Sequence, residues 1–159
     1  MINKPYLSMK HVITEIVSVV IAVLNLLFVI IMINVRHVDL MAEIHLDREY
    51  DFGSLASLLV MAVIFLIGTF FTIVANHFLP GKLYRTPFKI NPEKNDIVMY
   101  YLTLGTSINM LEVAIWVCIL SAIWTFKVEA LQIPSVILLL AVAVPTSLFF
   151  TIMAYRHNK

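Results

Sequence analysis

The chain has few of the residues on which catalytic and redox sites usually depend. One cysteine, Cys118, and four glycines occur in its 159 residues. A lone cysteine within an apolar run has no intramolecular disulfide partner. The sequence also contains no H-E-x-x-H, no G-x-S-x-G and no glycine-rich phosphate loop. We therefore predict no catalytic residues, no bound metal, no cofactor and no enzymatic activity.

Charged residues are scarce as well. They make up 13% of the chain, whereas hydrophobic residues make up 61%. A typical soluble domain has about 25% charged and about 45–50% apolar residues. The net charge of +1 offers no electrostatic attraction to nucleic acid. This composition predicts an integral membrane protein whose main partner is the lipid bilayer.

Four long segments contain almost no charge, and a helix of about 20 mostly apolar residues is enough to cross a bilayer. None of the four alternates polar and apolar residues as the strands of a membrane barrel do. The sequence therefore predicts an all-α membrane protein, a four-helix transmembrane bundle that forms a single domain over residues 1–159. The predicted spans are about 13–35, 54–78, 98–126 and 133–155, with an outer loop at 36–53 and an inner loop at 79–97.

Lysine and arginine are distributed unequally between the two sides of this bundle. Three lie on one side, namely Arg36, Arg48 and Lys127. Eight lie on the other side, namely Lys4, Lys10, Lys82, Arg85, Lys89, Lys94, Arg156 and Lys159. Basic residues concentrate in the cytoplasmic loops of membrane proteins. We therefore expect both termini to be cytoplasmic.

The predicted outer loop concentrates carboxylates, since it holds five of the ten in the chain. If this loop is extended, alternate residues share a face. One face then carries His45, Asp47, Glu49 and Asp51. Successive residues on that face are about 6–7 Å apart, too far to share a metal ion without a turn. We expect these four residues to bind a cationic partner such as a peptide; a solvated loop and a metal-dependent membrane enzyme are the alternatives.

Glu112 is a carboxylate inside the third predicted span. A charged side chain at the bilayer centre costs about 2.5–3.5 kcal/mol on insertion scales, so it usually faces protein or water. Asn109 lies one turn earlier on the same side of the helix. We expect these two residues to form a polar seam, either as a hydrogen bond between helices or as a proton or cation site in a small transporter. The candidate partners of Glu112 are Asn25, Thr72, Asn76 and His77.

Two loop segments contain residues whose types and order match a known family. The first segment is "AEIHLDREYDFGSLASLLVM", in which the matching residues are Ile44, His45, Asp51, Gly53 and Ser54. The second is "HFLPGKLYRTPFKINPEKNDIVMYY", in which they are Pro80, Tyr84, Pro87, Ile90, Asn95 and Tyr100. In these residues the chain resembles the domain of unknown function 1648 family.

The resemblance implies a multi-pass protein of the bacterial cytoplasmic membrane, related to SdpI-type immunity proteins. Such proteins protect a cell against a secreted peptide toxin and can relay its presence to a repressor. The expected function is therefore an interaction role, immunity to or sensing of an extracellular peptide. A cytoplasmic protein that docks on the basic inner loop is the second expected partner. A small transporter that uses Glu112 is the alternative.

Overall fold

The structure is a computed structural model that describes residues 5–36, 55–78 and 86–159. Within these residues it contains four long α-helices, all of them long and apolar enough to cross a membrane. They are α1 (Met9–Val35), α2 (Leu55–Phe78), α3 (Asn95–Thr125) and α4 (Gln132–Asn158). The chain is thus an all-α, multi-pass membrane protein, as its charge-free runs predict.

Contacts between the first three helices define their directions. The hydroxyl of Ser107 on α3 donates to the carboxylate of Glu15 on α1 at 3.0 Å. At the opposite ends of the same helices, the guanidinium of Arg36 donates to the carbonyl oxygen of Thr125 at 2.5 Å. α1 and α3 therefore run parallel. α2 runs antiparallel to both, because Asn76 near its end also reaches Glu15.

A short connector joins α3 to α4. The Val128 amide donates to the Ile123 carbonyl at 2.9 Å, and the Lys127 amide donates to the Trp124 carbonyl at 3.2 Å. This is the Schellman arrangement, which requires a left-handed residue after the helix. Lys127 takes that conformation, with φ 56°. The 3-10 turn Glu129–Leu131 then leads into α4, which packs antiparallel to α3.

The segment before α3 is tied to the end of α4. The Asn158 side chain accepts from the Asn91 amide at 2.7 Å and donates to the Lys89 carbonyl at 2.9 Å. Asn91 also caps the 3-10 turn Pro92–Lys94, which continues directly into α3. The beginning of α1 and the end of α4 therefore lie at the same end of the bundle.

The buried face of α1 changes character along the helix. Its residues recur every three or four positions, as expected for one helix face. In order they are His11, Glu15, Ser18, Ala22, Asn25, Val29 and Ile33. The end near the termini is thus polar. At the other end Val29 and Ile33 pack on Leu55 and Leu58 of α2 in an apolar cluster.

The fourth helix lies at the edge of the bundle. α4 packs almost entirely on α3, and among its residues only Ser135 and Ala154 are buried. The rest of its surface carries apolar side chains such as Leu140 and Leu148, each more than half exposed. In a bilayer such a surface is covered by lipid chains rather than water.

Candidate functional site

A buried carboxylate at the end of the bundle near the termini links three helices. Glu15 is 3% exposed. Its Oε1 accepts hydrogen bonds from Asn76 Nδ2 at 2.9 Å and from Ser107 Oγ at 3.0 Å. Its Oε2 lies 2.7 Å from Nε2 of His77. We call these four residues, Glu15, Asn76, His77 and Ser107, the Glu15 cluster.

Local structure explains how each member reaches the carboxylate. Asn76 and His77 occupy the last turn of α2, and adjacent positions on a helix point about 100° apart. Asn76 therefore faces the interior at 1% exposure, while the His77 side chain lies at the edge at 24%. Ser107 belongs to the buried face of α3 and also donates to the Thr103 carbonyl at 3.1 Å. The cluster is thus closed inside the bundle and open only on the His77 side.

His11 extends this polar region by one turn of α1 and is fully buried. Its Nδ1 lies 3.0 Å from the Ser8 hydroxyl and 3.2 Å from the Ser8 amide. Its Nε2 lies 3.0 Å from the Thr103 hydroxyl and 3.3 Å from the Tyr100 carbonyl oxygen. The imidazole therefore joins the cap of α1 to α3, so the parallel helices are held by polar contacts over two consecutive turns.

Sequence reasoning missed Glu15 and His11 as interior residues. In the sequence, Glu15 marked only the beginning of the charge-free run within the first predicted span. The signal was the spacing itself, because His11, Glu15, Ser18, Ala22 and Asn25 recur at the interval of one helix face. A hydrophobicity count cannot detect a buried face when half of that face is polar.

The predicted polar seam lies between α3 and α4. The Asn109 amide nitrogen donates to Ser147 Oγ at 2.6 Å, and the Thr146 hydroxyl donates to Glu112 Oε1 at 2.7 Å. We call these four residues the α3–α4 seam. Pro145 precedes both hydroxyl residues, and α4 continues through it. The hydroxyl groups of Thr146 and Ser147 bond side chains of α3.

The predicted partners of Glu112 are wrong. None of Asn25, Thr72, Asn76 and His77 bonds to it, because it faces away from α1 and α2. The face of α3 that packs on those helices includes Met110 and Ala114. Glu112 is two positions from each of these, which is about 200° of rotation around the helix. It therefore points to α4 instead.

Two acceptor atoms of the seam lack a hydrogen-bond partner among the described residues. They are Oε2 of Glu112 and Oδ1 of Asn109. Asn109 also borders a cavity of about 230 Å³ between α3 and α4, together with Thr106, Ser147 and Thr151. The seam thus offers hydroxyl and amide groups to a small polar occupant at membrane depth.

The predicted peptide-binding residues, His45, Asp47, Glu49 and Asp51, lie outside the described residues, so their role stays a prediction. In residues 5–36, 55–78 and 86–159, no group of three or more histidine, cysteine, aspartate or glutamate side chains is placed to hold a metal ion. The Glu15 cluster is a hydrogen-bonded site that links α1, α2 and α3.

No family model matches the chain, and neither a characterised protein nor a solved structure is significantly similar to it. The resemblance to the domain of unknown function 1648 family therefore rests on the quoted residues alone. The class defined by the fold is that of multi-pass membrane proteins with four helices.

Proposed function

We propose that this protein has a non-catalytic interaction role in the bacterial cytoplasmic membrane, where it senses an extracellular cationic peptide or confers immunity to it. The acidic segment 36–53 receives the peptide. The observation that supports this role is the Glu15 cluster. Segment 36–53 connects α1 and α2. At the ends of these two helices that are distant from the segment, the cluster bonds α1 and α2 to each other and to α3.

This arrangement couples the two sides of the membrane. A peptide bound to segment 36–53 shifts α1 relative to α2, because the segment is covalently attached to both. At the other end of these helices, such a shift changes the geometry around the Glu15 carboxylate. Conformational coupling requires an element that can take two arrangements. In one arrangement the Glu15–His77 contact is formed, and in the other it is broken.

The charge distribution supports the orientation. The excess of lysine and arginine near the termini and in segment 79–97 supports a cytoplasmic location of that end. A cytoplasmic protein then has access to the surface that includes Lys89 and Lys94, next to the Asn158 contact. We expect the second partner to bind this surface and to respond there to the shift of α1 relative to α2.

Peptide binding to the purified protein in nanodiscs tests the proposal. The probe is a fluorescein-labelled, lysine-rich amphipathic peptide, and the readout is fluorescence anisotropy. The triple variant Asp47→Asn, Glu49→Gln, Asp51→Asn is expected to lose binding. The control Glu93→Gln, Asp96→Asn removes exposed carboxylates at the opposite end of the bundle and is expected to bind normally.

Salt provides a second check of the same contact. Exposed charges are screened over about 10 Å at 0.1 M ionic strength. Binding of the probe to the wild-type protein should therefore weaken as salt is raised. Equal binding by the triple variant and the wild type would contradict the interaction role.

The unpartnered Oε2 of Glu112 favours a second candidate, a small transporter of protons or cations, because Glu112 lines a second cavity between α3 and α4, of about 150 Å³. Its test is proton flux into proteoliposomes loaded with a pH-sensitive dye. If the protein is such a transporter, Glu112→Gln abolishes proton flux, whereas Glu93→Gln and the triple variant of segment 36–53 retain it. Absence of flux in the wild type removes this candidate and leaves the peptide-binding test unaffected.

A further inference from the structure

A lateral cleft opens between α2 and α4 at the end of the bundle away from the termini. Its volume is about 550 Å³. Met61 of α2 lines one side, Val136 and Ile137 of α4 line the other, and Trp116 and Trp124 of α3 form the floor. We call this space the α2–α4 cleft. Its walls are almost entirely apolar.

The floor of the cleft carries an unsatisfied donor. The indole N–H groups of Trp116 and Trp124 have no hydrogen-bond partner among the described residues. Trp116 and the unpartnered Oε2 of Glu112, one turn earlier on α3, border a separate cavity of about 150 Å³, where donor and acceptor complement each other. Gln132 at the start of α4 also lines the cleft, but the indole N–H of Trp124 makes no hydrogen bond to it or to any other described residue. An indole only donates, so what it lacks is an acceptor oxygen.

The depth of Trp124 identifies the kind of oxygen. It lies one residue before the end of α3, at the level where tryptophan side chains meet the headgroup region of a bilayer. Trp116 lies eight residues earlier, about 12 Å deeper along the helix. An occupant of the cleft therefore has an acceptor near the membrane surface and an apolar body below it.

The size of the cleft excludes a bulky occupant. A helix with its side chains is about 10–12 Å across and rises about 5.4 Å per turn, so one turn occupies roughly 420–610 Å³. The cleft thus holds about one turn of an inserted peptide helix, which is too little for a stable contact. A single flexible hydrocarbon chain is thin enough to lie along its whole length.

We propose that the α2–α4 cleft is a specific site for one phospholipid acyl chain, with the ester carbonyl oxygen of the lipid accepting a hydrogen bond from Trp124 Nε1. The chain packs against Met61, Trp116, Val136 and Ile137. This lipid differs from those in the layer that surrounds the bundle, because its chain contacts residues of three helices at once. The site is independent of the peptide-binding role proposed above.

Native mass spectrometry of the detergent-purified protein tests occupancy. The wild type is expected to retain one phospholipid per chain. Val136→Phe and Ile137→Phe each fill the cleft and are expected to reduce retention about tenfold, since overpacking costs about 1–3 kcal/mol and 1.4 kcal/mol is a factor of ten. Val144→Phe adds the same ring at an exposed position of α4 outside the cleft and is expected to have no effect. Equal retention by all four proteins would overturn the proposal.

Fluorescence provides a direct readout, because the two tryptophans of the chain both border the cleft. Phospholipid brominated on its acyl chain is titrated into the protein in detergent. Quenching is expected to saturate at one lipid per chain, and to be weaker in both cleft-filling variants than in the control. Quenching that rises without saturation, equally in all variants, would show surrounding lipid only and would overturn the site.

The role of the Trp124 N–H is tested with an ether-linked phospholipid, which lacks the ester carbonyl. The wild type is expected to retain the ester lipid about fivefold better than the ether lipid, as one neutral hydrogen bond contributes about 1 kcal/mol. Trp124→Phe keeps the aromatic ring and is expected to remove this preference. A preference that persists in Trp124→Phe would contradict the assigned hydrogen bond.

Discussion

The carboxylate of Glu15 and the imidazole of His77 lie 2.7 Å apart, although 62 positions separate them in the chain. The contact joins the beginning of α1 to the end of α2. Asn76 and Ser107 bond the same carboxylate, so one buried acid holds three helices together. At this end of the bundle the buried face of α1 is polar, so these hydrogen bonds hold the helices together where apolar packing is absent from that face.

Replacement of Glu15 is expected to destabilise the bundle. Glu15→Leu removes the acceptor for two buried donors and the partner of His77, which costs about 1–3 kcal/mol. Glu15→Gln keeps one acceptor oxygen and is expected to cost less. The measurement is the free energy of unfolding in mixed detergent micelles, with Glu93→Gln at an exposed position as the control. Unchanged stability of Glu15→Leu would show that the cluster does not hold the helices.

The two described glycines provide a matched pair for the contact between α3 and α4. A Cβ on Gly105 would lie 2.7 Å from the Cβ of Phe150, whereas a Cβ on Gly68 would meet nothing within 4 Å. Gly105→Ala must therefore separate the helices, at a cost of about 1–3 kcal/mol. Gly68→Ala is expected to be neutral or to stabilise α2 by up to about 1 kcal/mol, because alanine favours helix over glycine. The measurement is thermal unfolding of both variants, and equal unfolding temperatures for the two would contradict a close approach of Gly105 to Phe150.

A double-mutant cycle measures the bond between Thr146 and Glu112. Thr146→Val and Glu112→Leu each remove one partner, and the expected coupling energy is about 0.6 kcal/mol, typical of polar contacts between membrane helices. Thr72→Val is the control, because the Thr72 hydroxyl bonds the Gly68 carbonyl of its own helix. Additive effects of Thr146→Val and Glu112→Leu would place the two side chains out of contact.

The topology predicts a labelling pattern. Because the beginning of α1 and the end of α4 lie at the same end of the bundle, tags on Met1 and Lys159 should be accessible from the same side of a vesicle. With cytoplasmic termini, both tags react with a membrane-impermeant reagent in inside-out vesicles and are protected in intact cells. Tags on opposite sides of the membrane would be incompatible with four spans.

The fold could be predicted from the sequence because lipid imposes a simple rule. Each span needs a long run with almost no charge, and the four runs of the sequence correspond to α1, α2, α3 and α4. α1 and α4 extend beyond their predicted spans, whereas α2 does not. α1 begins at Met9 and α4 ends at Asn158, because polar residues continue a helix into the interface once its hydrogen bonds are formed.

The interior contacts could not be predicted in the same way. The position of Glu112 within a span was evident from the sequence. Its partner depends on which face of α3 packs on which helix. The sequence does not indicate this, because apolar residues occur on every face of α3. Glu15 posed the opposite problem. A charge near a span end fits an exposed position as well as a buried one, and only the parallel packing of α1 on α3 brings Ser107 to it.

Ser107 follows Glu15 by 92 residues in the chain. During synthesis α1 therefore reaches the membrane before Ser107, whose hydroxyl bonds the Glu15 carboxylate, has been made. The first helix enters with an acid on its future inner face and no partner there. Asn76 and His77 arrive at the end of α2 and supply the earliest compensation. The order of these residues in the chain therefore predicts an order of assembly, in which the helical hairpin of α1 and α2 forms first and α3 packs on it afterwards.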